Sequence, residues 1–217
     1  MENKKLKTKV LRPKFDKDLD IIELSSRNLM DETIISFGTV SDCTLENYEA
    51  HRMTFKQLIF KNVVFNKIIF KYIEMIDVRF ENCDLSNIDF NEAQLHRVEF
   101  VNCKVIGINL SESTLRDVIF ENCNGQYAFF SYSNCKQVAF VNCQLRSADF
   151  QNSIFSKMEF KESNLLQAQM NFTKLKGIDF TSSNIEGMGV NIPDVSGAMV
   201  TAIQAVSFSA LLGLIVK

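Results

Sequence analysis

Glycine and proline are scarce in this chain, with eight Gly and two Pro among 217 residues. Flexible linkers between domains are rich in such residues, so the composition predicts one domain without an internal linker. The segment from Met1 to Phe15 is polar and basic, and it lacks the apolar stretch that a secretion signal needs. The sequence therefore favours a cytoplasmic protein, in which the six Cys residues are reduced thiols.

Histidine and catalytic motifs are lacking as well. The chain has two His residues, His51 and His96, and it contains no Gly-rich phosphate loop, no HExxH sequence and no nucleophile motif. Both His residues fall at outward positions of the repeat described below, about two coils apart, which is too far for them to share a metal ion. We therefore predict a protein that is not an enzyme and that has no cofactor and no metal site.

What the chain does have is a five-residue repeat centred on phenylalanine. Of the 27 positions numbered in multiples of five from Phe55 to Ile185, 21 are Phe or Leu. A period of five fits neither regular element. Five residues of helix advance about 500°, and an odd step along a flat strand sends alternate side chains to opposite faces. The chain must instead turn a corner every five residues so that each central residue points to one axis, which predicts a solenoid.

A second column and a longer period define one coil of the solenoid. Two residues before each central position, from Met53 to Ser183, the chain carries small or apolar residues and never a charge. Phenylalanine also recurs in every fourth pentad, at Phe60, Phe80, Phe100, Phe120, Phe140, Phe160 and Phe180. Four pentads thus form one coil with four sides. Residues 35–200 predict roughly eight coils, which at strand spacing of about 4.8 Å give a rod of about 40 Å.

Individual pentads match a known repeat. Residues 83–87 (CDLSN), 88–92 (IDFNE) and 148–152 (ADFQN) each place Asp before a central Leu or Phe, followed by two polar residues. In this pattern the chain resembles the pentapeptide-repeat family over most of its length. The resemblance implies an all-β fold, a right-handed quadrilateral β-helix. The four sides follow from the period, whereas the handedness comes from the resemblance alone.

Two further columns run along the predicted rod. Cys recurs in every fourth pentad, at Cys83, Cys103, Cys123 and Cys143. Val63 and Ser163 occupy the same slot in other coils, so we interpret these Cys residues as small core residues, because a straight column cannot surround a zinc ion tetrahedrally. Asn precedes the slot at Asn62, Asn82, Asn102, Asn122 and Asn142. This column predicts a ladder of side-chain amides. Gly125 interrupts the central column, and we expect Tyr127 or Phe129 to fill the gap.

The N-terminal end departs from the regular repeat. Residues 1–29 contain eight Lys or Arg and five Asp or Glu, so this segment is basic. A weaker five-residue run, Leu19, Leu24, Leu29 and Ile34, lies one residue out of phase with the main column, which resumes at Ile35. We therefore assign residues 1–34 to an arm and an irregular first coil that caps the β-helix of residues 35–200. A one-residue bulge near Ile34 and Ile35 would join the two phases.

The C-terminal segment, residues 201–217, is the most apolar part of the chain. The uncharged stretch 197–216 is long enough to span a membrane, but its Thr, Gln, Ser and Gly residues favour a short helix. That helix would have Thr201 as N-cap and Gly213 just past its end, followed by a short strand at 214–216. The segment resembles the C-terminal part of the Qnr-type and mycobacterial fluoroquinolone-resistance pentapeptide proteins. This resemblance implies a homodimer with the contact residues Leu211, Leu212, Leu214, Ile215 and Val216.

The same resemblance implies a function. Those relatives are rods of DNA-like width and charge that bind DNA gyrase or topoisomerase IV and protect them from quinolones, and this chain resembles their loopless members. The side centred on Phe90, Leu110, Phe130 and Phe150, called the Phe130 side below, carries the candidate acids Asp89, Glu92, Glu112 and Asp149. The neighbouring side is basic, with Arg97, Arg116, Lys136 and Lys157.

This uneven charge leaves two hypotheses open. One is a type II topoisomerase as partner, and the alternative is a general protein-interaction scaffold that uses the rigid surface of the rod. A continuous stripe of acids that extends across the dimer favours the first hypothesis, and a surface of mixed sign favours the second. Direct nucleic-acid binding is not expected of a chain with a net charge of -2. Membrane binding is not expected either, because the C-terminal apolar stretch is interrupted by polar residues and Gly.

Overall fold

The computed structural model describes residues 8–16, 19–24, 29–209, 211, 213 and 215. The elements within these residues are β1 (Asp20–Ile21), β2 (Ile34–Ser41), β3 (Thr44–His51), β4 (Thr54–Lys61), β5 (Val64–Lys71), β6 (Glu74–Glu81), β7 (Gln94–Val101), β8 (Thr114–Glu121), β9 (Asn134–Val141), β10 (Ile154–Lys161) and α1 (Ala202–Ser209).

The strands stack into parallel sheets whose register repeats once per coil. β2, β4 and β6 to β10 lie side by side in one sheet with β1 at its edge, and β3 pairs with β5 in a second sheet. Phe80 lies between Phe60 and Phe100 in this register. The predicted solenoid with four pentads per coil is therefore confirmed. Seven eight-residue strands of the larger sheet mark seven successive coils, and a bridge between Asp179 and Met199 joins the next circuit to them.

Each eight-residue strand bends in its middle because one residue there adopts a left-handed backbone. The φ angle is 50° at Gln57, 56° at Asp77 and 53° at Arg97. Residues other than Gly rarely adopt this conformation, and here it recurs at the corners of coil after coil. Each corner N–H bonds to the coil above, as Asn102 does to the carbonyl of Glu121 at 2.9 Å, so the stacking of coils stabilises the turn.

The predicted asparagine ladder lies at one such corner and is confirmed. The five Asn residues have φ angles between 52° and 55°. From Asn82 onward, each side-chain amide donates to the amide oxygen of the Asn one coil earlier, at 3.4 Å from Asn82 to Asn62 and at 2.8 Å from Asn142 to Asn122. Asn62, the first of the five, donates to the carboxylate of Asp42 at 2.8 Å. Asn suits this position because it tolerates the left-handed conformation and its side chain can both donate and accept.

The core is a stack of parallel aromatic rings. Phe120 is fully buried, and its ring lies 4.5 Å from that of Phe100 and 4.7 Å from that of Phe140, with interplanar angles of 2° and 8°. Phe130 meets the Phe120 ring edge-on at 5.9 Å. The Phe and Leu residues of the five-residue column are buried as predicted, except that Phe155 is only partly buried.

The expectation that Tyr127 or Phe129 fills the gap at Gly125 is wrong. Both side chains point outward, and they are 54% and 46% exposed. The space is instead closed by residues of the adjacent coils, since a Cβ at Gly125 would lie 3.1 Å from Leu145 Cδ2 and 3.3 Å from Val105 Cγ2. The reason is the short coil spacing, which lets large side chains above and below the glycine meet across it.

The cysteine column is buried, as predicted. Cys83, Cys103, Cys123 and Cys143 are free thiols. The Sγ of Cys103 lies 3.5 Å from the carbonyl oxygen of Phe80 and acts as the donor. A hydrogen bond with Cys123, and then burial, raise the pKa of the Cys103 thiol to about 12. Within the described residues, no group of three or more His, Cys, Asp or Glu side chains is placed to hold a metal ion.

Cys103→Ser is expected to be tolerated better than Cys103→Leu. Ser163 occupies the same slot and donates to the carbonyl of Phe140 at 3.3 Å, so Ser can keep the bond that Cys103 makes. Leu would overpack a slot between two coils, at a cost of about 1–3 kcal/mol. Chemical denaturation of both variants measures the difference. Equal losses, or zinc or a disulfide in the native mass spectrum, would contradict the structural role of the column.

The change of phase at the N-terminal end lies between Leu29 and Ile35. Leu29 and Ile35 are buried, whereas Ile34 is 67% exposed, so Ile34 does not continue the earlier run as expected. Glu32, between them, has a φ of 61°. β1 pairs with β2 through Asp20 opposite Gly38 and Ile21 opposite Thr39. The chain before the change of phase therefore extends the larger sheet at this end of the rod.

A short helix packs on the C-terminal end of the rod, and Thr201 caps it as predicted. The N–H of Gln204 donates to Thr201 Oγ1 at 3.2 Å, and the Gln204 side chain accepts from the N–H of Thr201 at 2.8 Å, which is a reciprocal capping box. The Gln204 amide also donates to the carbonyls of Phe180 and Ser183 in the rod, at 3.0 and 2.7 Å. No helix among the described residues is long and apolar enough to cross a membrane.

Part of the predicted C-terminal structure falls outside the described residues. Of the closing strand at 214–216, only Ile215 is described; it belongs to no strand and is 88% exposed. Gly213 follows the helix with a φ of 72°, a left-handed conformation that favours glycine.

Candidate protein-binding surfaces

The Phe130 side brings the four predicted acids onto one side of the rod, but two of them have structural roles. Asp89 accepts hydrogen bonds from the N–H of Asn91 at 3.0 Å and from the amide of Asn109 at 2.8 Å. Asp149 accepts from the N–H of Gln151 at 2.9 Å. A carboxylate that bonds the N–H two residues on stabilises a turn. Asp89 and Asp149 are therefore needed by the coil itself.

The other two acids, Glu92 and Glu112, stand at a corner and are exposed. They lie one coil apart, each with a φ of 58°. The described part of the chain shows no hydrogen bond or ion pair with either carboxylate. Two like charges about one strand spacing apart repel each other, so a cationic group placed beside both would be stabilised there.

Exposed aromatic residues continue this surface, and the sequence interpretation missed them. Tyr132 is 64% exposed and follows Glu112 in the same corner column, one coil further on. Tyr127 and Phe129 lie exposed in the same coil as Tyr132. The available signal was that three aromatic residues occupy outward positions of pentads, where the repeat usually carries polar residues.

Cations partly neutralise the neighbourhood of the acids. Lys71 Nζ lies 3.8 Å from Asp89. On the adjacent side of the rod, centred on Leu85, Lys104 Nζ lies 3.5 Å from Asp84. On the side predicted to be basic, Arg97 forms a bidentate salt bridge with Asp77, with two hydrogen bonds of 2.6 Å each. The surface is therefore mixed in charge, and the acids of the Phe130 side form a local cluster with the aromatic residues.

The N-terminal arm, here residues 8–16, lies across the bend in the middle of the strands of the larger sheet. We call this surface the arm corner; it consists of Gln57, Asp77, Arg97, Asp117, Gln137 and Lys157, with Glu99 and Glu159 beside them. The arm runs against the direction in which the coils advance. Its backbone N–H groups donate from Thr8 to Glu159 (2.9 Å), from Leu11 to Asp117 (2.9 Å), from Lys14 to Asp77 (2.9 Å) and from Asp16 to Gln57 (3.1 Å).

Three carboxylates of the arm corner are buried beneath the arm. Asp77, Glu99 and Asp117 are 5%, 2% and 2% exposed. Arg12 reaches Glu99 at 2.7 Å. Burial alone would raise the pKa of Asp77, but bonds from the Arg97 side chain and the Lys14 backbone lower it, and the net pKa lies below its ordinary value. Asp77 is therefore charged at neutral pH.

Comparison with protein families identifies the repeat. The model described as "Pentapeptide repeat region" matches residues 73–150, and the model described as "Pentapeptide repeats (8 copies)" matches residues 143–181. Together they cover half of the chain. The chain belongs to the pentapeptide repeat family. Its β-solenoid of stacked four-sided coils agrees with this assignment.

Known structures resemble this pentapeptide repeat protein at low identity. A trypsin-treated variant of QnrB1, a plasmid-mediated fluoroquinolone resistance protein, is 18% identical and covers 87% of this chain and 99% of its own, with a TM-score of 0.41. HetL, from the cyanobacterium Nostoc sp. strain PCC 7120, is a pentapeptide repeat protein involved in heterocyst differentiation regulation. It is 12% identical and covers 78% of this chain and 92% of its own, with a TM-score of 0.42. No protein of curated function matches the chain.

The C-terminal end of this pentapeptide repeat protein exposes apolar side chains. Ile203 is 82% exposed, Val206 51% and Ile215 88%, and Leu211 is 36% exposed. No residue of α1 is fully buried. The predicted contact residues Leu212, Leu214 and Val216 lie outside the described residues. The described ones form an apolar surface at the end of the rod, of the kind that marks a protein contact.

Proposed function

We propose that this pentapeptide repeat protein is a non-enzymatic rod that binds another protein through the Phe130 side. The observation that carries the proposal is the column of Glu92, Glu112 and Tyr132 at one corner, with Phe129 and Tyr127 beside it. Aromatic residues rimmed by polar ones are typical of the residues that dominate binding energy at protein interfaces. The stacked coils hold the backbone at these positions, so little backbone freedom is lost on binding.

A protein partner explains this surface better than a nucleic acid does. Nucleic acids present a dense row of phosphates, and Glu92 and Glu112 would repel them. A partner with Lys or Arg residues gains from the same two carboxylates, and its apolar side chains can cover Phe129 and Tyr132. The lack of catalytic motifs in the sequence supports the non-enzymatic part of the proposal.

A type II topoisomerase, DNA gyrase or topoisomerase IV, is the first specific partner to test. Such an enzyme binds DNA on a basic surface, and the exposed pair Glu92 and Glu112 can occupy part of that surface in place of phosphates. The second candidate, a protein unrelated to topoisomerases, is favoured by a different observation. The aromatic residues Tyr127, Phe129 and Tyr132 interrupt the acids, whereas a DNA-like surface would continue them.

The proposed rod is a dimer joined at its C-terminal ends. Ile203, Val206 and Ile215 expose apolar surface at that end, and the same surface on a second copy would cover it by twofold symmetry. Joining two rods end to end doubles the length available to a large partner.

The protein is expected to reduce inhibition of gyrase supercoiling by ciprofloxacin, and the double variant Glu92→Lys, Glu112→Lys is expected to lose at least tenfold of this effect. Two lysines would repel the basic surface that the glutamates attract. The matched control is Glu186→Lys, an exposed glutamate on another side of the rod, which is expected to act like the wild type. The measurement is supercoiled product against protein concentration in an agarose gel assay.

The outcomes separate the two candidates. Protection by the wild type that Glu186→Lys keeps and the double variant loses supports the topoisomerase. If the wild type has no effect on gyrase or topoisomerase IV, with or without the drug, a topoisomerase is excluded as the partner and the second candidate is left. Equal effects of all three proteins would show that the Phe130 side is not the binding surface.

A further inference from the structure

The contacts between the arm and the rod are polar. Of the described arm residues 8–16, none is fully buried: Leu11 is 43% exposed and the Arg12 side chain 59%. The rod residues below are buried instead, with Asp77, Glu99 and Asp117 each at or below 5% exposure. The arm therefore covers a row of acidic side chains of the rod, and although Val10, Pro13 and Phe15 are half-buried, no described arm residue is anchored in the core.

The spacing of the carboxylates under the arm matches the backbone N–H groups of an extended chain. Leu11 and Lys14 donate to Asp117 and Asp77, which lie two coils apart. Three residues of extended chain span about 9.9 Å, and two coils rise about 9.6 Å. Every third N–H therefore meets a carboxylate of every second coil. Because the donors are backbone groups, this match does not depend on the side chains of the segment.

The coils of Glu99 and Gln137 make two further contacts with the arm. Glu99 accepts from the Arg12 guanidinium at 2.7 Å, and Gln137 donates to the carbonyl of Lys9 at 2.8 Å. Glu99 is only 3% exposed in its side chain, and a buried carboxylate requires cationic or hydrogen-bonded partners. The rod supplies one of them, Arg79, whose Nη1 lies 3.7 Å from Glu99 Oε2, and Arg12 of the arm pairs with the other oxygen. Arginine suits this position because its guanidinium keeps its charge and donates from several N–H groups.

We propose that the arm corner is a binding site for an extended, arginine-bearing segment of a partner protein, and that residues 8–16 occupy this site in the free protein. The arm is then an internal competitor. A tethered segment has an effective concentration in the millimolar range, so a partner segment must bind better than the arm or be delivered by a second contact. The Phe130 side lies elsewhere on the rod, and either proposal can fail without the other.

The test uses the full chain with the arm disabled by Leu11→Pro, Arg12→Glu and Lys14→Pro. Proline removes the N–H groups that reach Asp117 and Asp77, and Glu repels Glu99. A fluorescent peptide with the sequence of residues 8–16 is added to this variant and to the wild type, and its anisotropy is measured. We expect the peptide to bind the variant at least tenfold more tightly than the wild type, in which the arm competes.

Two further peptides define what the arm corner recognises. A peptide with proline at the positions of Leu11 and Lys14 is expected to lose at least tenfold in affinity, because both donors are gone. A peptide that keeps Arg12 and replaces Thr8, Val10, Leu11 and Phe15 by Ala is expected to bind within threefold of the original. Every substitution lies in the arm, so we expect the rod of the variant to be unchanged. Circular dichroism of the variant checks this.

Three results would overturn the proposal. One is equal affinity of the peptide for the variant and for the wild type, when circular dichroism shows that the rod of the variant is folded. The second is equal binding of the proline peptide, which would show that the contacts to Asp117 and Asp77 do not hold the segment. The third is loss of binding by the alanine peptide, which would show that the arm corner accepts only the chain's own arm.

Discussion

Phe120→Ala is expected to lower the free energy of unfolding by about 3–5 kcal/mol, as large-to-small changes of buried Phe residues do. Phe120 is fully buried, between the stacked rings of Phe100 and Phe140 and against the edge of Phe130. Alanine would leave a cavity in the middle of the stack. The side chains of the neighbouring coils can close only part of it, because the backbone hydrogen bonds of β7, β8 and β9 hold the coils at their spacing.

Phe172→Ala is the matched control for this change. Phe172 is 68% exposed, so the same atoms are removed from the surface and the expected loss is below about 0.5 kcal/mol. Urea denaturation of both variants, followed by circular dichroism, measures the difference. A loss below about 1 kcal/mol for Phe120→Ala would show that the central column is not packed as the structure describes.

The double variant Ile203→Asp, Ile215→Asp is expected to be a monomer, with half the wild-type mass in solution. Both side chains are more than four-fifths exposed at the C-terminal end, and in the proposed dimer each would bury a charge without a partner. Ile203 lies in the first turn of α1, where an acid is favourable to the helix. A loss of dimer would therefore come from the contact and not from unfolding of α1.

Met30→Asp is the control for the dimer experiment. Met30 is 61% exposed and lies at the other end of the rod, so this variant is expected to keep the wild-type mass. Light scattering after size exclusion, at micromolar concentration, measures all three proteins. A wild type that is monomeric under these conditions would contradict the dimer, and a monomeric Met30→Asp variant would move the contact to the N-terminal end.

Much of the fold could be predicted from the sequence because each pentad has its own inward-facing apolar positions and outward-facing polar ones. Phe100 and Phe120 are buried for the same reason, and each packs against its counterpart one coil away. The Asn ladder and the cysteine column could be predicted in the same way. The phase change near Ile34 was located only approximately, and the filling of the gap at Gly125 was predicted wrongly, because both depend on how adjacent coils meet where the pattern breaks.

The candidate surfaces could be predicted less well. Four acids were found on the Phe130 side, but the pentad pattern does not show that Asp89 and Asp149 hold turns while Glu92 and Glu112 remain exposed. Both kinds of acid stand at outward positions, and the difference lies in hydrogen bonds. Tyr127 or Phe129 was expected to fill the gap at Gly125, but the backbone at their positions points both side chains outward.

The sequence by itself determined the solenoid, its four sides, its register of four pentads per coil and the capped C-terminal helix. These features repeat or are local, so each residue meets neighbours that the pattern also specifies. Only the tertiary structure decided where the arm lies. Leu11 and Asp117 are 106 positions apart, and the arm has no repeat of its own. It is placed by the match between an extended backbone and the spacing of coils, which exists only once the coils have stacked.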